Sequence, residues 1–291
     1  MTAAPHLVVL GHGYSAGYLT RTLVAQGWTV TGTTRNDPAR IKACGAQPLH
    51  WPGDEAALRA ELARADAILV SAGPDAGECP ALRDFGAAIA ASPARWLGYL
   101  STTGVYGDRQ GGWVDEDSPL TPATRRGHDR VAAETAWQAL AAAHGLPLHI
   151  FRLAGIYGPG RGPFAKVRAG TARRIIKPGQ VFNRIHVEDI AAVLEAAARG
   201  RGQHELYNVT DGEPSPPQDV ITYAAKLMGI EPPPEVPFES APLSPMGRSF
   251  YGENRRVRSL RIRDDLSVRL RYPSYREGLA AILAAASNVS P

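Results

Sequence analysis

Short apolar segments alternate with longer segments of helical periodicity through the first half of the chain, and this alternation restricts the fold more than any other feature. The sequence predicts strands at 7–10, 28–34, 47–51, 67–71, 96–102 and 148–153, and helices at 14–26, 37–44, 55–64, 80–91 and 122–144. Short strands without strict polar alternation are typical of a parallel sheet that helices cover on both faces. The sequence therefore predicts an α/β fold, built on a doubly wound parallel sheet.

The second half of the chain has a different texture. A Gly- and Pro-containing loop at 158–163 precedes a predicted strand and helix within 181–199, and a further strand is predicted at 205–209. Proline then becomes frequent, and arginines cluster between 248 and 276. We expect one domain of residues 1–157 and 181–211 that contains the sheet, and a smaller C-terminal region of residues 158–180 and 212–291 that lies over the carboxyl edge of the sheet, where substrates bind in such folds.

Composition excludes several classes of protein. The 291 residues are 44% hydrophobic and 21% charged, as in ordinary soluble domains. No apolar run approaches the roughly 18 residues of a membrane helix, and no signal peptide is recognisable, so we expect a cytoplasmic protein with no membrane partner. Two cysteines without C-x-x-C spacing predict neither a disulfide framework nor a metal site. The 28 arginines are scattered among 28 acidic residues, so no nucleic-acid partner is expected.

A glycine motif joins the first predicted strand to the first predicted helix. The segment from Gly11 to Ala16 reads G-x-G-x-x-A, which is typical of loops that hold the pyrophosphate of a dinucleotide against a helix N-terminus. Any strand-turn-helix unit can contain glycines, but in this chain the strands and helices of the expected fold come directly after the motif. The residues predicted to contact the cofactor are Gly11, Gly13, Tyr14, Ser15 and Ala16.

The end of the second strand bears on which dinucleotide binds. NAD enzymes usually place Asp or Glu there for the ribose 2′-hydroxyl. This chain has Thr34 and Arg35 instead, and Asp37 starts the next helix, where it is able to act as a cap. Arg35 is suited to a 2′-phosphate, with help from the Thr34 hydroxyl, so the sequence favours NADP and leaves NAD open. The alternative is a solvated arginine at a strand end.

Four later segments carry a family resemblance. They are L-S-T-T-G-V-Y-G-D (100–108), R-L-A-G-I-Y-G-P-G-R (152–161), N-R-I-H-V-E-D-I-A (183–191) and Y-P-S-Y-R-E-G-L (272–279). With the glycine motif they resemble the extended short-chain dehydrogenases/reductases, the NAD(P)-dependent epimerase/dehydratase family. The resemblance implies a Rossmann-type fold and a small-molecule substrate. The G-x-G-x-x-A spacing departs from the family's usual G-x-x-G-x-x-G, which indicates an atypical branch.

The resemblance also implies roles for particular residues. Thr102 corresponds to the family's Ser/Thr that hydrogen-bonds the substrate oxygen, although a threonine at a strand end also commonly bonds the backbone. His186 and Asp189 are expected to fix a strand and the start of a helix. The residues implied to line the cofactor are Asp54 at the adenine, Ser71, Ala72 and Gly73 in a turn, and Tyr157 at the nicotinamide end.

The family's catalytic Tyr-x-x-x-Lys pair is absent from the chain. None of the four lysines has a tyrosine four residues before it, and the two positions hold Arg126 and Arg130. Arg130 remains able to bond the nicotinamide ribose, but Arg126 cannot exchange a proton, because guanidinium has a pKa above roughly 12. Arg126 is suited instead to an anionic group of a substrate or to a developing oxyanion. The candidates for a substitute proton donor come from segments near the active edge, and they are Tyr106, Tyr157 and His186.

Two functions follow as hypotheses. The first is an NADP-binding oxidoreductase or epimerase-like enzyme that acts on a small carbonyl or hydroxyl compound, with Thr102, Arg126 and Arg130 at the reacting end. The second is a non-catalytic NAD(P)-binding redox sensor or regulatory protein. The C-terminal arginines form either a solvated, partly ion-paired surface or, as the nucleotide-sugar members of the family would need, a clamp for a diphosphate or a carboxylate. The first interpretation is favoured for most of them, with the segment Glu253 to Arg255 as an exception. The family also suggests a homodimer.

Overall fold

A computed structural model describes residues 4–75 and 77–287 of the protein. The strands are β1 (His6–Leu10), β2 (Thr29–Thr34), β3 (Gln47–His50), β4 (Ala67–Val70), β5 (Leu97–Thr102), β6 (Trp113–Val114), β7 (Leu148–Leu153), β8 (Gly155–Tyr157), β9 (Arg174–Ile176), β10 (Arg184–His186), β11 (Leu206–Val209), β12 (Glu235–Pro237) and β13 (Arg256–Val257). The helices are α1 (Tyr14–Ala25), α2 (Pro38–Lys42), α3 (Glu55–Leu62), α4 (Pro80–Ala90), α5 (Arg125–His144), α6 (Phe164–Arg168), α7 (Val187–Ala198), α8 (Pro217–Leu227), α9 (Pro245–Phe250), α10 (Arg261–Asp264) and α11 (Tyr275–Ser287).

Seven strands form one parallel sheet in the order β11-β7-β5-β4-β1-β2-β3. The strand order reverses at β1, which pairs with β2 on one side and with β4 on the other. A crevice forms at such a reversal, outside the carboxyl ends of the strands, and it is where ligands bind in doubly wound folds. The predicted Rossmann-type α/β fold is confirmed.

Helices cover both faces of the sheet, which explains why central strands such as β1 and β4 are buried along their whole length. One face packs against α1 and α7, around a buried core that includes Trp96, Phe151 and Tyr207. The other face packs against α3, α4 and α5, around Phe85, Tyr99 and Trp137. Because both layers are buried and apolar, the sheet gives the loops at its carboxyl edge a rigid base.

A third apolar cluster lies outside the sheet layers. It joins α6, α8 and α11 around Phe164, Val167, Ala224 and Leu279. The strand β12 pairs with β9 beside this cluster, and β13 pairs with β6. The apolar cluster and the β12–β9 pair bring the segments 158–180 and 212–287 together, whereas β13 pairs with a strand of residues 113–114. The predicted domain boundaries stay a prediction.

Two features of the described residues concern membranes and metals. No helix of residues 4–75 and 77–287 combines the length and the apolar character needed to cross a bilayer. Within the same residues, no group of three or more His, Cys, Asp or Glu side chains is arranged to hold a metal ion.

Candidate active site

The glycine motif forms a tight turn between β1 and α1. Gly11 has φ +83°, a conformation that favours glycine, and its N–H donates to Thr33 Oγ1 at 2.7 Å. A Cβ atom on Gly11 would lie 2.7 Å from the backbone nitrogen of Ala72. The fold itself therefore requires glycine at position 11, because the turn passes directly over the end of β4.

Gly13 has a different environment from Gly11. A Cβ atom on Gly13 would meet only the carbonyl oxygen of Gly11, 3.9 Å away, so the space beside its α-carbon is open. Gly13 is also the N-cap of α1, and no side chain caps this helix. The N–H groups of the first turn are thus available to an anion, and the helix dipole favours negative charge there. Ser15 and Ala16 are buried and hold the helix on the sheet. The loop therefore fits the pyrophosphate of a dinucleotide.

Tyr14 links the glycine loop to the loop that follows β8. Its hydroxyl donates to the carbonyl oxygen of Pro159 at 2.9 Å, and a Cβ atom on Gly158 would lie 2.5 Å from that hydroxyl. The guanidinium of Arg161 lies 5.7 Å from the centre of the Tyr14 ring. Tyr14 therefore forms a side wall of the crevice, a contact between distant segments that the sequence pattern does not reveal.

The end of β2 carries the residues predicted to choose between NAD and NADP. The Thr34 oxygen accepts hydrogen bonds from the N–H groups of Asn36 and Asp37, at 3.3 and 3.1 Å. Asp37 caps α2 by accepting from the Arg40 N–H. Arg35 is exposed, and it has no hydrogen bond or ion pair with the rest of the described chain. Its guanidinium is therefore available to a ligand at this edge.

Arg40 is a second cation at this edge that sequence reasoning missed. Its Nη2 donates to the carbonyl oxygen of His12 at 2.7 Å, so the side chain reaches back over the glycine loop. His12 is buried, and burial lowers its pKa to about 4, which keeps the ring neutral beside Arg40. The only clue in the sequence is that a helix after β2 runs close to the glycine loop in folds of this type.

The turn after β4 lies against the end of β1. The N–H groups of Ser71 and Ala72 both donate to the carbonyl oxygen of Leu10, at 2.9 and 3.0 Å. Asp54 lies in the turn after β3, where one carboxylate oxygen accepts from the His50 N–H at 2.7 Å. Both turns are at the carboxyl edge of the sheet, and their contacts with a cofactor stay a prediction.

Thr102 is the last residue of β5, and the side chain of Arg130 on α5 reaches β5 and the turn after β4. The Thr102 oxygen accepts from the Gly104 N–H at 3.1 Å, which leaves the hydroxyl hydrogen available to a substrate oxygen. Arg130 donates from Nη1 to the Leu100 carbonyl oxygen at 2.5 Å. Its Nη2 lies 2.6 Å from where a Cβ atom on Gly73 would be. The Arg130 guanidinium therefore lies against the turn that was predicted to line the cofactor.

Arg126 lies one helical turn before Arg130 on α5. Thr124 caps this helix by accepting from the Gly127 N–H at 3.1 Å, so α5 begins at Arg125 rather than at the predicted residue 122. Arg126 is exposed and has no polar partner among residues 4–75 and 77–287. Its charge is thus free to act on a bound molecule.

A buried ion pair fixes α5 on the sheet beneath Thr102. Arg152 on β7 donates to both carboxylate oxygens of Glu134 on α5, with the shortest contact at 2.7 Å. Ser101 on β5 donates to the same carboxylate, and Arg152 also donates to the Tyr106 hydroxyl at 2.9 Å. Through Glu134, the network sets the position of α5, and so of Arg126 and Arg130, relative to β5.

The three suggested substitute proton donors are buried, and each makes a structural contact, although His186 Nε2 has no hydrogen-bond partner among the described residues. The Tyr106 hydroxyl donates to Asn208 Oδ1 and is fully buried, and burial raises its pKa. The Tyr157 hydroxyl donates to the Ser274 carbonyl oxygen, against Gly278 of α11. His186 caps α7, and burial lowers its pKa to about 4. The role of substitute proton donor stays a prediction for all three residues.

Tyr157 packs toward the C-terminal segment, and its expected contact with the nicotinamide end of a cofactor stays a prediction. Its hydroxyl is buried in the cluster around α11, and burial raises its pKa, so the phenol faces the C-terminal segment. His186 and Asp189 fix structure, as expected. Asp189 does so by accepting from the Arg271 and Tyr272 N–H groups, which attaches the C-terminal segment to α7.

Arg255 comes into the site from the C-terminal segment. Its Nη1 donates to the Gly107 carbonyl oxygen at 2.8 Å and to Glu253 Oε2 at 2.6 Å. A Cβ atom on Gly104 would lie 4.0 Å from Arg255 Nη2 and 3.5 Å from Thr102 Oγ1. Of the C-terminal arginines, Arg255 is therefore one that lies beside the predicted reacting end.

Comparisons with known proteins agree with this geometry. The model of the NAD dependent epimerase/dehydratase family matches residues 85–210. Protein YeeZ of Escherichia coli strain K12 is 30% identical, over 78% of this chain and 85% of YeeZ. A functionally unknown conserved protein from Silicibacter pomeroyi DSS is 55% identical, with a TM-score of 0.91 over 97% of this chain and 99% of that one. A protein described as "putative NAD-dependent epimerase/dehydratase" from Methylobacillus flagellatus is 27% identical, with a TM-score of 0.73 over 98% and 100% of the two chains.

Proposed function

Because this chain belongs to the NAD-dependent epimerase/dehydratase family, we propose that it is an NADP-binding oxidoreductase or epimerase-like enzyme that acts on a small carbonyl or hydroxyl compound. The observation that carries the proposal is the open space at Gly13 beside the uncapped start of α1. A diphosphate would occupy that space and accept from the free N–H groups.

The residues at the edge of the sheet divide the remaining work. The dinucleotide, when bound, supplies the hydride acceptor or donor. Thr102 donates its hydroxyl hydrogen to the substrate oxygen. Arg130 lies where the family's lysine would hold the ribose, and it is anchored there by the Leu100 carbonyl oxygen. Arg126 places a positive charge near the oxygen on which negative charge develops.

The preference for NADP rests on two arginines at the end of β2. Arg35 is exposed without a partner, and Arg40 lies over the glycine loop. A 2′-phosphate adds about two negative charges and several acceptor oxygens, which arginine side chains bind as bidentate partners. No carboxylate lies at the end of β2 to bind a ribose hydroxyl. The nearest one in the sequence, that of Asp37, caps α2.

Replacing Arg35 with glutamate should weaken NADPH binding by about tenfold or more and leave NADH binding nearly unchanged, because only NADPH carries the phosphate. Tryptophan fluorescence titration of both cofactors measures the two dissociation constants. Arg269→Glu is the matched control, because Arg269 is exposed and lies in the C-terminal segment. Equal losses for both cofactors, or no loss, would contradict the role of Arg35.

Replacing Thr102 with alanine should lower kcat/KM about 100-fold, because the substrate oxygen loses its hydrogen-bond donor. The assay is steady NADPH oxidation over a panel of aldehydes, ketones and keto sugars. Thr102→Ser keeps a hydroxyl and should retain most of the activity. Undiminished turnover by Thr102→Ala would remove Thr102 from the mechanism.

A second candidate function is supported by the structural contacts of Tyr106, Tyr157 and His186. Because all three are buried in structural contacts, the chain fits a non-catalytic NAD(P)-binding redox sensor or regulatory protein as well. Tight dinucleotide binding without turnover on any carbonyl would favour this function over the enzyme.

Three expectations about context stay predictions. They are a cytoplasmic location, the absence of a nucleic-acid partner and a homodimer.

A further inference from the structure

The guanidinium of Arg255 has one anchored edge and one edge without partners. Nη1 is held by the Gly107 carbonyl oxygen and by Glu253. Nε is buried and has no hydrogen-bond partner within the described part of the chain, and Nη2 has none there either. The Nε–H and Nη2–H bonds of arginine point to the same side, in a planar fork that matches two oxygens of a carboxylate or a phosphate.

The free edge of Arg255 lies beside Thr102. Both the Thr102 oxygen and Arg255 Nη2 are within 4.0 Å of the position that a Cβ atom on Gly104 would take. The absence of a side chain at Gly104 therefore leaves a small volume that both donors border. A molecule that fills this volume would meet a hydroxyl donor on one side and a guanidinium fork on the other.

Several contacts hold Arg255 in this position before any ligand arrives. Asn183 donates to the Arg255 carbonyl oxygen at 3.0 Å and accepts from the Val257 N–H at 2.9 Å. Gln180 donates to the Glu253 carbonyl oxygen at 2.9 Å. The Arg255 side chain is only 15% exposed. A buried donor without a partner is costly, and a preorganised one is suited to a ligand.

Charged residues on two segments are near Gly104: the Arg255–Glu253 ion pair and the first turn of α5. Glu253 offsets one charge, but it does so from the Nη1 side of Arg255. The first turn of α5 lies on the other side of Gly104, since a Cβ atom on Gly127 would be 3.2 Å from the Gly104 carbonyl oxygen. That turn carries Arg126, which has no partner among the described residues.

We propose that the substrate carries a carboxylate or a phosphate next to its reacting carbon, and that Arg255 binds this group through Nε and Nη2. The assignment of the reacting end to Thr102 rests on the proposed function. Arg126 adds charge attraction from the start of α5. The substrate class is therefore an anionic carbonyl or hydroxyl compound rather than a neutral one.

The test uses inorganic phosphate and acetate as probes, titrated by calorimetry into the full-length protein with and without saturating NADPH. Saturation with NADPH occupies other anion-binding positions at the glycine loop. Arg255→Gln should weaken binding of the preferred probe at least tenfold, whereas Arg269→Gln should not change it. The probe that binds more tightly tells which of the two anions the site accepts.

A steric variant separates anion binding from a structural role of Arg255. Gly104→Ala keeps Arg255 and places a methyl group in the volume between it and Thr102, at ordinary contact distance, because the nearest atoms would lie 3.4 Å or more from the new Cβ. This variant should also weaken the probe at least tenfold with an unchanged melting temperature. Binding that neither variant alters, or no binding of either probe to the wild type, would overturn the proposal.

The outcome for the anion is independent of the outcome for the dinucleotide. NADPH affinity is measured on the same samples. If NADPH binds and binding of the anion does not depend on Arg255, only the assignment of the anion site is wrong. If NADPH does not bind and the anion still depends on Arg255, the proposed function is wrong and the anion site stands.

Discussion

Replacing Gly13 with valine should abolish the binding of both NADPH and NADH while leaving the fold intact. The backbone at Gly13 has φ −102°, which valine adopts without strain, and the protein offers no atom closer than 3.9 Å to a new Cβ. The isopropyl group would therefore project into the space that the pyrophosphate needs. A loss of at least 100-fold in affinity is expected, equal to about 3 kcal/mol.

The neighbouring glycine provides a matched contrast. Gly11→Val combines a positive φ with a Cβ position 2.7 Å from the Ala72 nitrogen, so it should lower the melting temperature as well as binding. Fluorescence titration measures binding, and thermal unfolding followed by circular dichroism measures stability. Unchanged NADPH affinity in Gly13→Val would show that the dinucleotide does not use this loop.

Removing Glu134 should destabilise the protein by about 3–5 kcal/mol, because Arg152 would remain charged and buried without its partner. Glu134 and Arg152 are 3% and 4% exposed, and three hydrogen bonds join them. The pair ties α5 to β7 in the core. Chemical denaturation of Glu134→Ala measures the free energy of unfolding.

Two further variants check the cause of that loss. The double variant Glu134→Leu with Arg152→Leu should recover much of the stability, because no buried charge is left unpaired. Glu195→Ala removes a surface ion pair with Arg199, the residue that follows α7, together with a hydrogen bond from Gln26, and should cost less than about 1 kcal/mol. A loss for Glu134→Ala as small as that for Glu195→Ala would show that the buried pair contributes little.

Local patterns were enough to predict the sheet. The strand predicted at 148–153 is observed at Leu148–Leu153, and the helix predicted at 80–91 is observed at Pro80–Ala90. Strands and helices of this kind follow from apolar runs and their periodicity, which are local in the sequence. The start of α5 was predicted too early because the residues just before Thr124 are also compatible with a helix. In the structure Thr124 has an extended backbone and caps the helix.

Contacts between distant segments were beyond the sequence pattern. Arg40 reaches the His12 carbonyl oxygen and Tyr14 reaches the Pro159 carbonyl oxygen, and only the folded chain brings these groups together. The sequence did not show which segments surround the side chain of Tyr157. In the folded chain it packs in the apolar cluster with α11. Arg255 was singled out by its segment, but its unpartnered edge appears only when Gly107 and Glu253 occupy the other edge.

The most direct measurement is a titration of the cofactor-free protein with NADPH and, separately, with NADH. Binding is followed by the quenching of tryptophan fluorescence and by energy transfer to the nicotinamide. The proposed function predicts micromolar binding of NADPH and at least tenfold weaker binding of NADH, equal to about 1.4 kcal/mol. Failure of both cofactors to bind at millimolar concentration would contradict the enzyme and the sensor alike, and the open space at Gly13 would then need another ligand.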